Sequence, residues 1–489
     1  MTKSTPFFKQ FGPLLFGRQP RKHLEQLKGI SALEDLYDVF KNLMPDNVLD
    51  LAKKGVNSRV RSLPPEVTFW AFVSQALSPG TACREVVRKI GAWQRWQQLR
   101  TATEVSAGAY CQARKRLSFD LLLVVRRHLA LRMDRNVLKE EDWINGRAVK
   151  IVDGTTFSMP DTPENQKQWP QPSSQKPGCG FPMMKLVGLF SMATGALLEE
   201  ATGNEHVAET QLFRKIWERL EKGDVVLTDR GFCSFVAMAA LKERGVDMVA
   251  RLNQSRKIDS AKSKRLGPGD LLVCWSKPAS RAVGWSKEEW DALPKSLSVR
   301  LIQIIIEVPG FRTRTVMLAT TLVDPKTYPA QELRALYGKR WNVELHFAQI
   351  KTIMRLDVLR CQSPDMIRKE VQIHLIAYNL VRALMQRASH SHQVPLKRIS
   401  FKGSLDTVRH WATVIRASAG KPAKQRILVA KMLEVIANDP LPERLGRSEP
   451  RAVKRRPKNF NRITKPRNEM GNMPHRNKTA RQSPIPPLT

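Results

Sequence analysis

Arg147-Ala148-Val149-Lys150-Ile151-Val152-Asp153-Gly154 is where the chain changes texture. The residues before it read as helical to about position 140. From Val149 a short apolar run begins and stops at an aspartate followed by glycine. Val225-Val226-Leu227-Thr228-Asp229-Arg230-Gly231 repeats the arrangement downstream. Between the two, 183–190 and 196–202 are further apolar runs, with Thr194-Gly195 as the turn signal. A helix over 207–221 is expected to stop before Gly223, and another over 232–244 at Gly245, ahead of a strand over 247–252. Three strands followed by alternating helix and strand predict an α/β class with a mixed sheet covered by helices.

Both aspartates stand where strands end, and in open α/β sheets ligands gather outside strand ends. Asp beside Gly is also an ordinary turn, so each aspartate alone has a purely structural reading. Joined by Glu344, they make an all-oxygen donor set, which suits Mg²⁺ better than softer metals. Two such ions would activate the attacking oxygen and stabilise the leaving one in phosphodiester displacement. Other schemes fare worse. His206 has no partner at metal-ligand spacing, the glycines form no phosphate-binding loop, and no serine elbow is present.

Glu344 lies in Tyr337-Gly-Lys-Arg340-Trp-Asn-Val-Glu344-Leu-His-Phe-Ala-Gln-Ile-Lys351, within a helix expected over 328–354 and opened by Pro329. At about 100° per residue, Arg340, Glu344 and Lys351 fall near −60°, −20° and −40° from Tyr337, one polar stripe about 21 Å long. Leu336, Val343, Phe347, Ile350 and Met354 form the adjoining apolar face. An exposed Arg340–Glu344 pair would explain part of the stripe at a few tenths of a kcal/mol, in the poorer of the two orders. An apolar run at 316–323 ends in Asp324, a reserve candidate for the third carboxylate.

The remainder sets the context. A chain of 489 residues exceeds one ordinary domain, and a net charge of +37 suits a polyanion such as nucleic acid. No run approaches the length of a membrane span or the core of a signal peptide. The six cysteines lack a C-x-x-C, as suits a reducing cytoplasm. Four regions are expected: a helical DNA-end-binding domain over 1–140, a catalytic domain over 145–388, a helical region over 389–445, and a disordered basic tail over 446–489. Helices over 32–43, 65–75, 82–96 and 119–133, and one opening at Ser106, make up the first, with Arg84, Arg88, Lys89, Arg114, Lys115 and Arg116 giving basic faces suited to DNA. A solvated bundle face explains each such helix equally well. A strand-rich segment lies at about 255–320. Beyond it, Ser363-Pro364 opens a helix to about 388, and two more follow near 405–418 and 423–438.

Tyr337, Arg340, Glu344 and Lys351 match the Y-(2)-R-(3)-E-(6)-K signature, and with it the chain resembles bacterial insertion-sequence transposases of the IS-four family. Val226-Leu-Thr-Asp229-Arg-Gly-Phe232 and Val152-Asp153-Gly154-Thr155-Thr156 resemble the family's two aspartate motifs, and Cys111-Gln-Ala-Arg-Lys-Arg116-Leu its N-terminal helical region. The resemblance implies an RNase H-like catalytic domain, interrupted by a strand-rich insertion, with Asp153, Asp229 and Glu344 as the catalytic, metal-binding triad. It implies two Mg²⁺ ions, with Mn²⁺ as a substitute, and Tyr337, Arg340 and Lys351 on the terminal phosphates. It further implies double-stranded DNA as partner, both element ends and target, and a homodimer on DNA in the bacterial cytoplasm, associated with the nucleoid. Family members cut the 3′ ends of their element and join them to target DNA. A catalytically inactive relative acting as repressor or architectural protein is the alternative, and a nuclease that does not join strands a third.

Overall fold

The structure is a computed structural model that describes residues 63–96, 105–137 and 144–442. Short interruptions fall at 254–255, 257–262, 307–313, 358, 417 and 419–420, and residues 39–40, 43–44, 465–466 and 469 stand alone. The basic stretch 446–489 and the helix expected over 32–43 thus lie almost wholly outside the described residues.

Among the residues described from 63 onward, four helices precede the sheet: α1 (Pro65–Leu77), α2 (Cys83–Trp96), α3 (Ala107–Arg116) and α4 (Phe119–Arg135). Ser106 and Ser118 cap α3 and α4, accepting from the backbone N–H of Ala109 and Leu121. Helices α1 to α3 close a small core around Ala71, Ile90 and Tyr110. The basic faces are not all outward. Arg114 turns inward, with its guanidinium over the Phe72 and Tyr110 rings and 3.4 Å from the sulfurs of Cys83 and Cys111.

The sheet begins with β1 (Val149–Ser158), and helix α5 (Pro163–Gln168) precedes β2 (Met183–Ser191) and β3 (Leu197–Gly203). Helix α6 (Glu209–Lys215) with a 3₁₀ turn, β4 (Val225–Thr228), α7 (Phe235–Glu243) and β5 (Asp247–Arg251) follow. The helix expected over 207–221 is therefore shorter, because the 3₁₀ turn at Trp217–Arg219 replaces its second half. Strands β6 (Lys264–Gly267) and β7 (Asp270–Ser276), helix α8 (Lys287–Ala292), β8 (Ser296–Ile306) and β9 (Arg314–Thr320) occupy the strand-rich segment.

The nine strands of the described residues join one sheet in the order β3-β2-β1-β4-β5-β9-β8-β7-β6. β1 pairs antiparallel with β2 and parallel with β4, and β4 pairs parallel with β5. This large mixed sheet fits the RNase H-like domain implied above. The later strands extend the same sheet, β9 adding antiparallel to β5. Buried Arg300 on β8 grips Asp270 on β7 with two hydrogen bonds of 2.8 and 2.6 Å and donates to the Tyr328 carbonyl at 2.6 Å. That clamp ties the extension to the start of the next helical segment.

That segment is α9 (Ala330–Gly338), a 3₁₀ turn (Lys339–Trp341), α10 (Asn342–Ala348) and a π-helical turn (Gln349–Ile353). Then comes α11 (Pro364–His392), most of whose residues are buried, followed by α12 (Phe401–Arg416) and α13 (Pro422–Ala437). α11 satisfies sheet backbone directly: the Asn379 amide accepts from the Leu197 N–H and donates to the Leu197 carbonyl, both at 3.0 Å. Tyr378 likewise donates to the Gly195 carbonyl at 2.7 Å. Among the described residues no helix is long and apolar enough to cross a membrane.

Candidate active site

Parallel pairing of β1 with β4 sets Ile151 opposite Leu227. Asp153 and Asp229 each lie two residues further on. With a side-chain period of two, Asp153 shares the face of Ile151, whereas Asp229 follows the last residue of β4 and lies near enough for its charge to act on Asp153. Antiparallel pairing puts Phe190 and Gly188 of β2 opposite Ile151 and Asp153, so they share that face. Phe347 of α10 meets Phe190 edge to face at 5.2 Å, which lays α10 over the same surface. Gly188 is required there, since a Cβ would lie 3.4 Å from the Phe347 ring and closer still to Phe190 and Leu197.

The apolar face predicted for the 328–354 segment is buried as expected: Leu336, Val343, Phe347, Ile350 and Met354 are all in the core. The segment is helical without a break from Ala330 to Ile353, near the expected bounds, but it is not a regular α-helix. The 3₁₀ turn tightens the backbone just before Glu344, and the π turn loosens it at Lys351. Wheel angles for a regular α-helix therefore do not describe the polar stripe. Arg340 is buried, not the exposed partner of a surface pair. Its two terminal nitrogens stand 3.4 Å from Asp153 Oδ2 and 3.5 Å from Glu344 Oε1. The Tyr337 hydroxyl donates to the Thr228 carbonyl at 3.2 Å, one residue before Asp229. Lys351 Nζ donates to Thr155 Oγ1 at 3.0 Å and to the Thr156 carbonyl at 2.9 Å, further along β1. All six predicted residues thus gather where the end of β4 meets the middle of β1; Asp153 is not at a strand end as expected, because β1 runs on through it to Ser158.

Burial pushes the Asp153 carboxyl up to about 6. The Gly154 N–H and Arg340 oppose this, while the neighbouring charges of Asp229 and Glu344 reinforce it. Burial also pushes the Tyr337 phenol up to about 12 against the pull of Arg340, so it is a neutral donor at pH 7. The donor set suits a hard divalent cation, because every candidate ligand is a carboxylate oxygen. Among the described residues no three acidic, imidazole or thiol groups close a metal site by themselves. Mg²⁺ does not demand such a cage, since it commonly takes one or two carboxylates plus water and substrate phosphate. Arg340 lies between two carboxylates at distances well beyond the 2.7–2.9 Å of a tight charged pair.

Several residues differ from their sequence reading. Gly154 is not a turn residue, since it lies inside β1 paired with Val187. Asp324 accepts from the Lys326 and Thr327 N–H groups and the Thr327 hydroxyl, so it closes its own turn. His206, by contrast, matches its reading as a non-ligand and sits exposed in the turn before α6. Thr155 and Thr156 were overlooked, although Val152-Asp153-Gly154-Thr155-Thr156 as a block was the available signal.

Two family models match the chain: the transposase DDE domain over residues 144–380, and the insertion element 4 transposase N-terminal region over 30–125. Together they place the protein among the DDE transposases, enzymes that act on DNA. The transposase InsG of insertion sequence element IS4 from Escherichia coli K12 is 27% identical over 413 residues, 83% of this chain and 89% of its own. The putative transposase InsZ from the same organism is 25% identical over 188 residues, 38% of this chain and 60% of its own. A solved piggyBac transposase synaptic complex with hairpin DNA aligns over 83% of this chain and 85% of its own, at TM-score 0.42 and 10% identity. The chain belongs to the IS4 family of insertion-sequence transposases.

Proposed function

We propose that this transposase binds the terminal inverted repeats of its own insertion sequence, cleaves the element ends and joins them to target DNA by metal-assisted phosphoryl transfer. The approach of Asp229 to Asp153, with Glu344 brought to them through Arg340, carries the proposal. Asp153, Asp229 and Glu344 would hold two Mg²⁺ ions, or Mn²⁺ in their stead. Bound there, such ions supply activation of the attacking oxygen and charge neutralisation at the leaving one. Arg340 is placed to pass from the carboxylates to a DNA phosphate, whose two oxygens its planar guanidinium can grip together. Lys351, held by Thr155 and Thr156, offers a point charge to a neighbouring phosphate. Tyr337 anchors the segment to the backbone beside Asp229.

End recognition falls chiefly to residues 1–140, with the catalytic domain over 145–388 and a helical region over 389–445. The stretch 446–489 adds charge-driven affinity without sequence preference. Two ends must be brought together, so the working unit on DNA is a homodimer, in the bacterial cytoplasm beside the nucleoid. The test is an incubation of purified protein with a labelled duplex carrying its element end, a supercoiled plasmid and Mg²⁺. Free 3′-hydroxyl ends and covalent joining to plasmid are expected, and EDTA abolishes both. Cutting without joining would leave a nuclease, and binding without cutting a repressor-like relative.

A further inference from the structure

Glycine in the middle of a strand weakens it unless something must come close to the backbone. Gly154 has ordinary extended geometry, so backbone freedom does not explain it. Its neighbour does. A Cβ built there would lie 2.5 Å from Glu209 Oε1 and 3.1 Å from Oε2. The Glu209 carboxylate therefore lies flat against β1 in the space a side chain would fill. Gly154 faces the opposite side of the strand from Asp153, so Glu209 approaches from the side that α10 does not cover.

As the exposed first residue of α6, Glu209 gains from the helix N-terminus, but that position does not by itself call for its carboxylate to lie on β1. Among the described residues no hydrogen bond or ion pair within 4 Å reaches Glu209. The charges that face it are Asp229, of like sign, and Lys185. Lys185 is occupied elsewhere: its Nζ donates to the carbonyls of Glu205 at 2.6 Å and Val207 at 3.2 Å, fixing the turn that delivers Glu209. A carboxylate held beside a second carboxylate, without a bound cation, is unfavourable unless a cation joins them.

We infer that Glu209 is a fourth carboxylate of the divalent-metal site, brought to Asp229 over a strand that carries glycine at 154 to let it pass. The inference rests on the metal-site reading proposed above and adds one ligand group to it. It also gives Gly154 a role distinct from the turn first suggested by its sequence.

The experiment follows Mn²⁺ uptake by the full-length protein, alone and with its element-end duplex, from the spin-resonance signal of free Mn²⁺. Wild type, Glu209→Gln, Gly154→Ala and Asp229→Asn are compared, with thermal unfolding of each in EDTA as the check on folding. Glu209→Gln is expected to weaken uptake about 10–100-fold, the range seen when groups supporting a metal site are lost. The Mg²⁺ concentration giving half-maximal end cleavage should rise with it. Gly154→Ala keeps every carboxylate yet should shift uptake the same way, because its methyl displaces Glu209. Wild-type uptake in Glu209→Gln, with uptake lost in Asp229→Asn, overturns the role of Glu209 and leaves the triad standing. Wild-type uptake in Asp229→Asn, or none in the wild type itself, overturns the metal-site reading and this inference with it.

Discussion

Arg126 and Arg340 each reach two carboxylates from a buried position, and the two clusters come out with opposite electrostatics. Arg126, on α4, pairs closely with Glu199, stands 3.7 Å from Glu200 and donates to the Gln372 side chain at 2.9 Å. Arg127 adds a second cation 2.8 Å from Glu199. Burial would raise the Glu199 carboxyl, but these arginines outweigh it and hold the group below its ordinary range. Arg340 meets its two carboxylates only at 3.4 and 3.5 Å, with Asp229 close by, and Asp153 stays well above the usual carboxylate range. One cluster is balanced and locks α4 and α11 to β3. The other keeps its carboxylates incompletely paired, the pattern that marks a candidate functional site.

Substitutions that remove the charge altogether separate the two clusters most sharply. Asp153→Asn, Asp229→Asn and Glu344→Gln should each reduce end cleavage to below a few per cent, with the protein still folded and still retarding the element-end duplex in a gel. Substantial cleavage by Glu344→Gln would remove the helix from the triad. The structure offers no replacement at Asp324, which is spent on its own turn. Arg126→Met acts on stability instead. Breaking a buried pair from one side typically costs about 3–5 kcal/mol, and urea unfolding should show a loss of that order.

The pH dependence distinguishes the clusters by sign. Asp153 has a folded pKa near 6, above its unfolded value, so in metal-free protein its contribution is favourable at low pH and is lost as pH rises through about 6. Asp153→Asn should therefore stabilise the protein in EDTA at pH 7 by about 2–3 kcal/mol, a gain that fades toward pH 4. Glu199 is depressed, so its contribution is present above the unfolded value and is lost as pH falls through the folded one. The Glu199→Gln penalty should accordingly be full at pH 7 and shrink in acid. Melting temperatures of both variants from pH 4 to 8 give the test, and parallel slopes would erase the contrast. The smallest effect belongs to Arg340→Lys. Loss of the planar fork should cut end cleavage about tenfold, roughly 1.4 kcal/mol of barrier, with a thermal unfolding change of less than about 1 kcal/mol. Wild-type cleavage by that variant would make Arg340 a packing residue like Arg126.

The place of Asp229 after an apolar strand and the spacing of the Tyr337–Lys351 segment were legible in the sequence, because apolar runs, turn residues and helical period are local signals, whereas Asp153 looked like a strand end and lies inside β1. What escaped depended on distant parts of the chain. The pairing of β1 with β4, which brings Asp153 near Asp229, joins strands with two others and two helices between them in sequence. The burial of Arg340 required α10 to be laid over β2, which Phe190 and Gly188 arrange. Asp153-Gly154 had the composition of a turn, and only the approach of Glu209 explains why a strand keeps that glycine. The 3₁₀ and π turns have no composition of their own, so a regular wheel was the only available estimate.

The parallel register of β1 and β4 also has a consequence for how such a sequence can drift. Lengthening the connections around β2, β3 and α6 leaves Ile151 opposite Leu227, and so leaves β1 beside β4. One residue gained or lost between Ile151 and Asp153, both inside β1, turns the carboxylate to the far side of the sheet. That interval of two residues therefore tolerates no change in length, whereas the long stretch joining the two strands is free to grow or shrink. In copies of the gene that have decayed, a single in-frame codon lost from the short interval would silence the enzyme as surely as a truncation, while leaving its charge and most of its core in place.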